Sequence, residues 1–260
     1  MLRTYLFAYL LFLFAPIGII ILFSFHASPA LVFPFTGLSL RWYEQLFSQA
    51  DFLNSLWNSL IVGFSTALAT TVLGSFAAVA LIRLNPSMKS FFALLNFAPI
   101  VFPGLFLGIA LVVLFAEMSL QRSLLTITIA HVLFALPFFV EAVRSRIQFF
   151  DRSLEEAARD LGATPFQTFR LVTFPMLAPT IIGAAILTFA LSFDELIITI
   201  FVSGNDTTLP LYIWSSMRRT VSPAINAASV VALALSLATL AIGGCILWIQ
   251  RRRAVAARDN

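Results

Sequence analysis

Long apolar runs separated by shorter polar segments dominate the sequence. Six of these runs are each near the ~20 residues that a helix needs to cross a bilayer. They fall at residues 5–25, 59–82, 91–115, 123–141, 177–201 and 225–249. The pattern predicts an all-α membrane protein in which six transmembrane helices form one domain over residues 1–260. Two polar stretches are long enough to hold further structure, at residues 26–58 and 142–176.

The polar stretch between the fourth and fifth runs contains the start and stop signals of two short helices. Ser153 and Glu156 have the spacing of a capping box, and Gly162 stands where a helix often ends in a left-handed residue. Residues 164–167, Thr-Pro-Phe-Gln, repeat the start signal with proline at the first helical position. We expect helices at about 153–161 and 165–174.

The outer stretch and the apolar runs hold weaker signals. Trp42, Leu46 and Phe52 recur among polar residues in the outer stretch, which suggests a short helix at the membrane interface. Gly104-x3-Gly108 permits close helix contact, and packing inside this chain is favoured over a dimer motif. Prolines inside three runs should kink their helices, namely Pro99, Pro103 and Pro137.

Lysine and arginine are unevenly distributed among the polar segments. With the N-terminus inside, the inner segments hold twelve of these residues and the outer segments hold four. Cytoplasmic loops of membrane proteins carry an excess of basic residues. We therefore expect both termini and the 142–176 loop to lie in the cytoplasm.

Composition agrees with a membrane protein and narrows the chemistry. Only 11% of the residues are charged, against about 25% in soluble domains. The net charge of +4 comes from basic residues in short loops and at the C-terminus and does not indicate nucleic-acid binding. The single Cys245 excludes an internal disulfide, and we expect no metal site because no second His, Cys or carboxylate is suitably spaced around His131.

The loop motif resembles the coupling loop of ABC importer permeases, whose pattern is E-A-A-x3-G-x9-I-x-L-P. Here Glu-Ala-Ala at 156–158 precedes Gly162, and Val-x-Phe-Pro at 172–175 replaces Ile and Leu by other apolar residues. The resemblance implies that a helix of this loop docks in a groove of the ATPase subunit. The docking residues that it implies, with the leucines of the same helix, are Leu154, Glu156, Ala157, Ala158, Leu161 and Gly162. The alternatives are a DNA-binding helix-turn-helix and a plain surface loop, and the acidic residues at 155, 156 and 160 argue against DNA binding.

The run from Phe193 to Ala227 is similar to PotC-type permeases of spermidine/putrescine importers. The matching elements are Phe193-Asp194-Glu195, Thr208-Leu209-Pro210, Arg218-Arg219 and Ser222-Pro223-x2-Asn226-Ala227. This resemblance implies the type I importer permease fold and a polyamine substrate. It also implies a paralogous permease, two ATPase subunits and a periplasmic substrate-binding protein as partners. Related permeases carry 4-aminobutyrate, opines or aminoethylphosphonate, so those solutes stay open, as does a homodimer.

The residues themselves indicate that energy comes from another subunit. No Gly-x4-Gly-Lys-Ser/Thr motif occurs, so we expect no cofactor in this chain, with ATP and Mg on the partner ATPase. An ion-coupled secondary transporter is the alternative from another class, although no internal repeat is clear. An intramembrane enzyme would need a catalytic set, and His131 with Asp194 or Glu195 is the only conceivable one.

Four residues are candidates for the substrate pathway or a gate: His131, Phe193, Asp194 and Glu195. Two neighbouring carboxylates near the outer end of the fifth run are costly in a bilayer and could attract a cation. The structural alternative is an ion pair with Arg218, Arg219 or a partner subunit. For His131 the structural alternative is a neutral ring hydrogen-bonded to another helix.

Overall fold

The computed structural model describes residues 2–31, 34–35, 37–151, 153–220 and 222–256. Within these residues every regular element is helical, so the predicted all-α fold is confirmed. The elements are α1 (Leu2–Ser24), α2 (Arg41–Ser48), α3 (Ala50–Arg83), α4 (Pro86–Val101), α5 (Gly104–Glu117), α6 (Leu124–Gln148), α7 (Ser153–Asp160), α8 (Pro165–Thr168), the π segment (Phe169–Thr173), α9 (Phe174–Phe193), α10 (Ile197–Val202), α11 (Leu209–Arg219) and α12 (Pro223–Ala256).

The described residues contain five helices long and apolar enough to cross a membrane, or six crossings if the bent pair α4 and α5 counts as one. The first predicted run closely matches α1, and the last lies within α12. The second run begins too late, because α3 starts at Ala50 rather than at residue 59. Residues 51–58 mix polar and apolar side chains, so the apolar pattern did not reveal this first part of the helix. Phe52 and Ser55 of this part are buried.

The predicted third span, 91–115, is wrong as one helix. α4 and α5 meet at an angle of 103° across Phe102 and Pro103. Pro103 has no amide to continue the helical hydrogen bonds, and it disfavours helical geometry at the residue before it. Phe102 accordingly adopts φ −77° and ψ 128°, which is extended backbone. Of the three prolines predicted to kink helices, Pro99 and Pro137 lie inside helices, and this break occurs at Pro103.

The predicted loop 142–176 is also shorter in the structure. α6 continues to Gln148, beyond the predicted end of the fourth span at 141. At the other end, α8, the π segment and α9 follow without interruption from Pro165 to Phe193. The helical span after the loop therefore runs over 165–193 instead of the predicted 177–201. Only residues 149–164 connect the two spans, and α7 occupies half of that connection.

The chain divides into two compact units, one of Met1–Asn58 with Thr207–Leu237 and one of Ser59–Asp206 with Ala238–Asn260. In the first unit, α2 confirms the short helix predicted within the outer stretch 26–58. Trp42 and Leu46, which suggested a helix at the membrane interface, are buried against protein. The Trp42 indole nitrogen donates to the His26 carbonyl oxygen at 2.7 Å, and the Tyr212 hydroxyl donates to Gln49 Oε1 at 2.8 Å. These bonds join the end of α1 to α2, and α11 to the α2–α3 junction.

In the second unit, α6 packs against both α9 and α10, and α5 packs against α10. Two apolar cores hold these helices together. The first core is formed by Val62, Leu111, Phe115, Ile127, Ala130, Ile198 and Val202, and the second by Ala78, Leu81, Phe139, Val140, Val143 and Ala184. A Cβ atom at Gly108 would stand 2.6 Å from Phe201 Cδ2, so the glycine allows α5 to approach α10 closely. This contact confirms the close packing predicted from Gly104-x3-Gly108.

Candidate functional site

Helix α7 begins at Ser153, and Asp151 caps its N-terminus. Asp151 Oδ1 accepts the Ser153 amide at 3.0 Å. Hydrogen bonds from the Ser153 hydroxyl and amide hold the pKa of Asp151 below its ordinary value of 3.8. The predicted capping box at Ser153 is therefore wrong, because Ser153 is the first helical residue and the aspartate two positions earlier accepts its amide. Glu155 and Glu156 lie in the first turn, where the helix dipole favours negative charge.

The C-terminus of α7 is closed by Gly162. Its φ of +85° lies in the left-handed region, as the sequence predicts. The Gly162 amide donates to the Arg159 carbonyl at 2.9 Å, and the Ala163 amide donates to the Ala158 carbonyl at 3.0 Å. These two bonds form a Schellman motif, which ends the helix and turns the chain sharply. No atom lies within 4 Å of a Cβ built on Gly162, so the backbone conformation rather than space favours glycine.

The second start signal is confirmed at α8. Thr164 Oγ1 accepts the Gln167 amide at 3.3 Å, and Gln167 Oε1 accepts the Thr164 amide at 2.8 Å. Pro165 is the first helical residue. The predicted end at 174 is wrong, because the helix widens into the π segment and then continues as α9.

The exposed surface of this connection is rich in apolar side chains. Leu154 is 44% exposed and Leu161 is 90% exposed. Phe149 and Phe166, one on each side of α7, are 81% and 70% exposed. Glu156 and Ala157 are exposed as well, whereas Ala158 is half-buried. A polar connection that presents this much apolar surface is typical of a protein-binding site.

The opposite side of α7 faces the rest of the second unit across a cavity of about 420 Å³. Glu155, Glu156 and Arg159 line the cavity from α7. Glu155 Oε1 accepts a hydrogen bond from Thr173 Oγ1 at 2.5 Å, which ties α7 to the π segment. α7 otherwise packs against α8 and the π segment.

The two adjacent carboxylates lie at a break between helices, not inside an apolar helix as predicted. α9 ends at Phe193, which is buried, and α10 begins at Ile197. Asp194 is exposed, while Glu195 is half-buried and its Oε1 accepts the Ile198 amide at 2.9 Å. Glu195 therefore satisfies an amide at the start of α10, which is a common structural use of a carboxylate.

His131 of α6 lies fully buried beside this break. Its Nδ1 is 2.8 Å from Ser192 Oγ of α9, and its Nε2 is 2.9 Å from Thr199 Oγ1 of α10. The Ser192 hydroxyl also bonds Thr66 Oγ1 of α3 at 3.3 Å. Both ring nitrogens thus have hydroxyl partners, which is the structural alternative that the sequence left open for this residue. The ring holds α6, α9 and α10 together.

The structure links two of the four pathway candidates, His131 and Glu195, through Thr199. The Thr199 hydroxyl that contacts His131 Nε2 also donates to the Glu195 backbone carbonyl at 2.9 Å. Phe193 and Asp194 lie between Ser192, the other partner of His131, and Glu195 along the chain. Sequence reasoning missed the hydroxyl residues of this cluster, Thr66, Ser192 and Thr199. Serine and threonine within apolar helices usually bond their own backbone, so no pattern distinguishes those that bridge helices. The alternative ion pair of the carboxylates with Arg218 or Arg219 stays a prediction.

A family model described as "Binding-protein-dependent transport system inner membrane component" matches residues 70–254. Among curated relatives, the putrescine transport system permease protein PotI of Escherichia coli (strain K12) is 39% identical over 255 residues. That match covers 95% of this chain and 89% of the relative. The spermidine/putrescine transport system permease protein PotC of the same strain is 34% identical over 227 residues, covering 87% and 86% of the two chains.

Two solved structures share the fold at low sequence identity. A chain of a bacterial ABC transporter involved in the import of the acidic polysaccharide alginate aligns with a TM-score of 0.73 and 16% identity. It covers 97% of this chain and 94% of that chain. A chain of the MetNI methionine ABC transporter in an inward-facing conformation aligns with a TM-score of 0.66 and 18% identity, covering 76% and 95%. At these identities the likeness concerns the arrangement of helices alone.

Proposed function

Because the chain belongs to the family of inner membrane components of binding-protein-dependent transport systems, we propose that it imports polyamines as one permease subunit of an ATP-driven transporter. The observation that carries this proposal is the 39% identity to a putrescine permease over 95% of the chain. A polyamine is favoured over 4-aminobutyrate, opines and aminoethylphosphonate because both the PotI and PotC relatives are polyamine permeases by name. As a member of this family, the chain is a multi-pass inner-membrane protein and a transport component rather than an enzyme.

The proposed contact with the ATPase is the exposed side of α7. Leu154, Leu161 and the flanking Phe149 and Phe166 supply apolar surface that a partner would cover. Glu156, Ala157 and Ala158 make a thin helix face that allows close approach, and Gly162 sets the direction in which the chain leaves it. The excess of Lys and Arg in the inner segments supports a cytoplasmic position for this surface, where ATP is available.

The complete transporter requires further protein chains. ATP and Mg belong to two ATPase subunits, a paralogous permease completes the pathway, and a periplasmic protein delivers the substrate. A solved transporter with this fold is in complex with its alginate-bound periplasmic protein, which supports the last partner. An ion-coupled secondary transporter gains no support, since the family is defined by dependence on a binding protein.

We assign different roles to the two carboxylates at the α9–α10 break. Glu195 supports the backbone at the start of α10 through the Ile198 amide. Asp194 is exposed, and a carboxylate in that position attracts an ammonium group of a polyamine. We expect Asp194→Asn to lower the uptake of a divalent or trivalent amine, whereas Glu195→Gln, which keeps an oxygen acceptor for the amide, retains most uptake.

Reconstitution tests the proposed function. The chain is co-expressed with its neighbouring transport genes, purified, and placed in liposomes with the binding protein and ATP. Putrescine or spermidine should stimulate ATP hydrolysis and accumulate inside, whereas 4-aminobutyrate should do neither. Uptake that persists without the ATPase, or stimulation by 4-aminobutyrate alone, contradicts the proposal.

A further inference from the structure

The π segment ends two residues before Pro175, and the proline explains why it forms. In an α-helix the residue at 175 would donate its amide to the Leu171 carbonyl, but proline has no amide and its ring collides with that carbonyl. The structure relieves the collision by widening one turn, so that the Phe174 amide reaches back to the Phe169 carbonyl. The proline that closes the loop motif thereby places a π turn at the start of the long helix α9. Such single π turns are frequent at functional positions.

The π segment presents its last residue, Thr173, to α7. The Thr173 hydroxyl donates to Glu155 Oε1 at 2.5 Å across 18 residues of sequence, and both side chains are half-buried. Removing a π turn shifts the residues before it by one position, which turns them by about 100° relative to the helix that follows. Since α7 precedes the π turn, the presence of the turn decides whether Glu155 of α7 lies opposite Thr173.

Apart from this bond, α7 packs against its sequence neighbours α8 and the π segment, and a cavity lies between it and the helices beyond. The cavity of about 420 Å³ separates its side chains from Val79, Ile147 and Leu177, which come from three different helices. A movement of α7 passes to other elements most directly through the groups that are packed against it or bonded to it, rather than across this space. The bond from Glu155 to Thr173 leads directly into α9, whose other end carries the Asp194 and Glu195 break.

We propose that Glu155 and Thr173 are positioning residues that transmit the movement of α7 to α9, with Pro175 maintaining the π turn that aligns them. Glu155 thus acts inside this chain, whereas the more exposed Glu156, at the edge of the same cavity, belongs to the proposed ATPase contact. The inference rests on the proposed function, because it requires that α7 is pushed by an ATPase. Beyond that function, it identifies the inner side of α7 as the side that transmits the movement, through the Glu155 carboxylate and the Thr173 hydroxyl.

The test uses the complete importer in liposomes and measures two rates, substrate uptake and substrate-stimulated ATP hydrolysis. Thr173→Val keeps the shape of the side chain and removes the hydroxyl, while Thr173→Ser keeps the hydroxyl. We expect Thr173→Val to lower uptake per ATP hydrolysed by about tenfold, the size expected for one lost hydrogen bond to a charged group. Thr173→Ser should stay close to the unmodified importer, and Pro175→Ala should show the loss although both bonding residues are present.

A double variant separates this inference from a contact with the partner. Glu155→Ala and Thr173→Val should each lower the ratio, and together they should lower it no further than one alone. The inference is overturned if the double variant lowers the ratio of uptake to ATP hydrolysed by the product of the two single effects. It is also overturned if the Thr173→Val importer has the same ratio as the unmodified importer. An unmodified chain that binds no ATPase overturns the proposed function instead, so the two failures are distinguishable. Pull-down of the ATPase by each variant shows that the complexes are assembled.

Discussion

Substituting Gly162 perturbs the end of α7 through its backbone alone. The residue has φ +85°, and no atom lies within 4 Å of an added Cβ. An L-residue with a Cβ costs roughly 1–2 kcal/mol in the left-handed conformation, whereas asparagine tolerates it better than other non-glycine residues. A change of that size shifts the balance between the capped turn and other turns by about 5–30-fold. Since the turn sets the angle between α7 and α8, we expect polyamine uptake to fall in the order glycine, asparagine, alanine, valine.

The assay compares initial uptake rates of importers that contain equal amounts of inserted chain. Gly18→Val is the matched control, because it adds the same atoms at a helical glycine that also has no atom within 4 Å of its Cβ. The Gly162→Val chain should insert and bind its paralogous permease normally while its uptake drops by about tenfold. If Gly162→Val transports as well as Gly18→Val, or if the series shows no order, α7 does not depend on the left-handed cap.

Substitutions at Gly204, at His131 and at the two carboxylates of the α9–α10 break should also change stability or uptake. Gly204→Ala should lower the free energy of unfolding by about 1–3 kcal/mol, because its φ is +62° and an added Cβ would stand 2.6 Å from the Arg122 carbonyl oxygen. Gly183→Ala is the control: the glycine lies inside α9 and its nearest contact is at 3.9 Å, so the melting temperature should not fall. His131→Phe should destabilise the protein by roughly 1–3 kcal/mol, since the buried Ser192 and Thr199 hydroxyls lose the ring as a partner; an unchanged melting temperature would contradict the structural role. Uptake of putrescine should fall with Asp194→Asn more than with Glu195→Gln, and equal losses would mean that the two carboxylates act together.

The local signals of the connecting loop could be predicted from the sequence because they depend on neighbouring residues. Gly162 and the Thr164 capping box need only a few positions to define them, and both form as predicted. Ser153 was misplaced because Asp151 also has a capping side chain, and the sequence does not show which of the two the backbone will use. An apolar run likewise indicates a membrane span but not where its helix starts or ends. α3 starts before its apolar run, and α6 continues beyond its run into polar sequence.

The rest of the candidate site depends on contacts between distant residues. The apolar pattern continues to residue 201 and does not show the helix break after Phe193. At this break the Glu195 side chain accepts the Ile198 amide at the start of α10. His131 has partners 61 and 68 residues away, which a single sequence does not reveal. The Glu155–Thr173 bond was missed for the same reason, although Pro175 in a helical pattern is a visible sign that the helix must adjust.

Cysteine labelling at Ala157 tests most directly whether α7 is the cytoplasmic contact for an ATPase. Ala157→Cys is introduced into a chain in which Cys245 is replaced by serine, since Cys245 is exposed. A membrane-impermeant maleimide is then applied to sealed vesicles of either orientation, and a short cross-linker is added in the presence of the ATPase. We predict labelling from the cytoplasmic side alone and a cross-link to the ATPase. Labelling from the periplasmic side, or a cross-link to no ATPase, would contradict the claim.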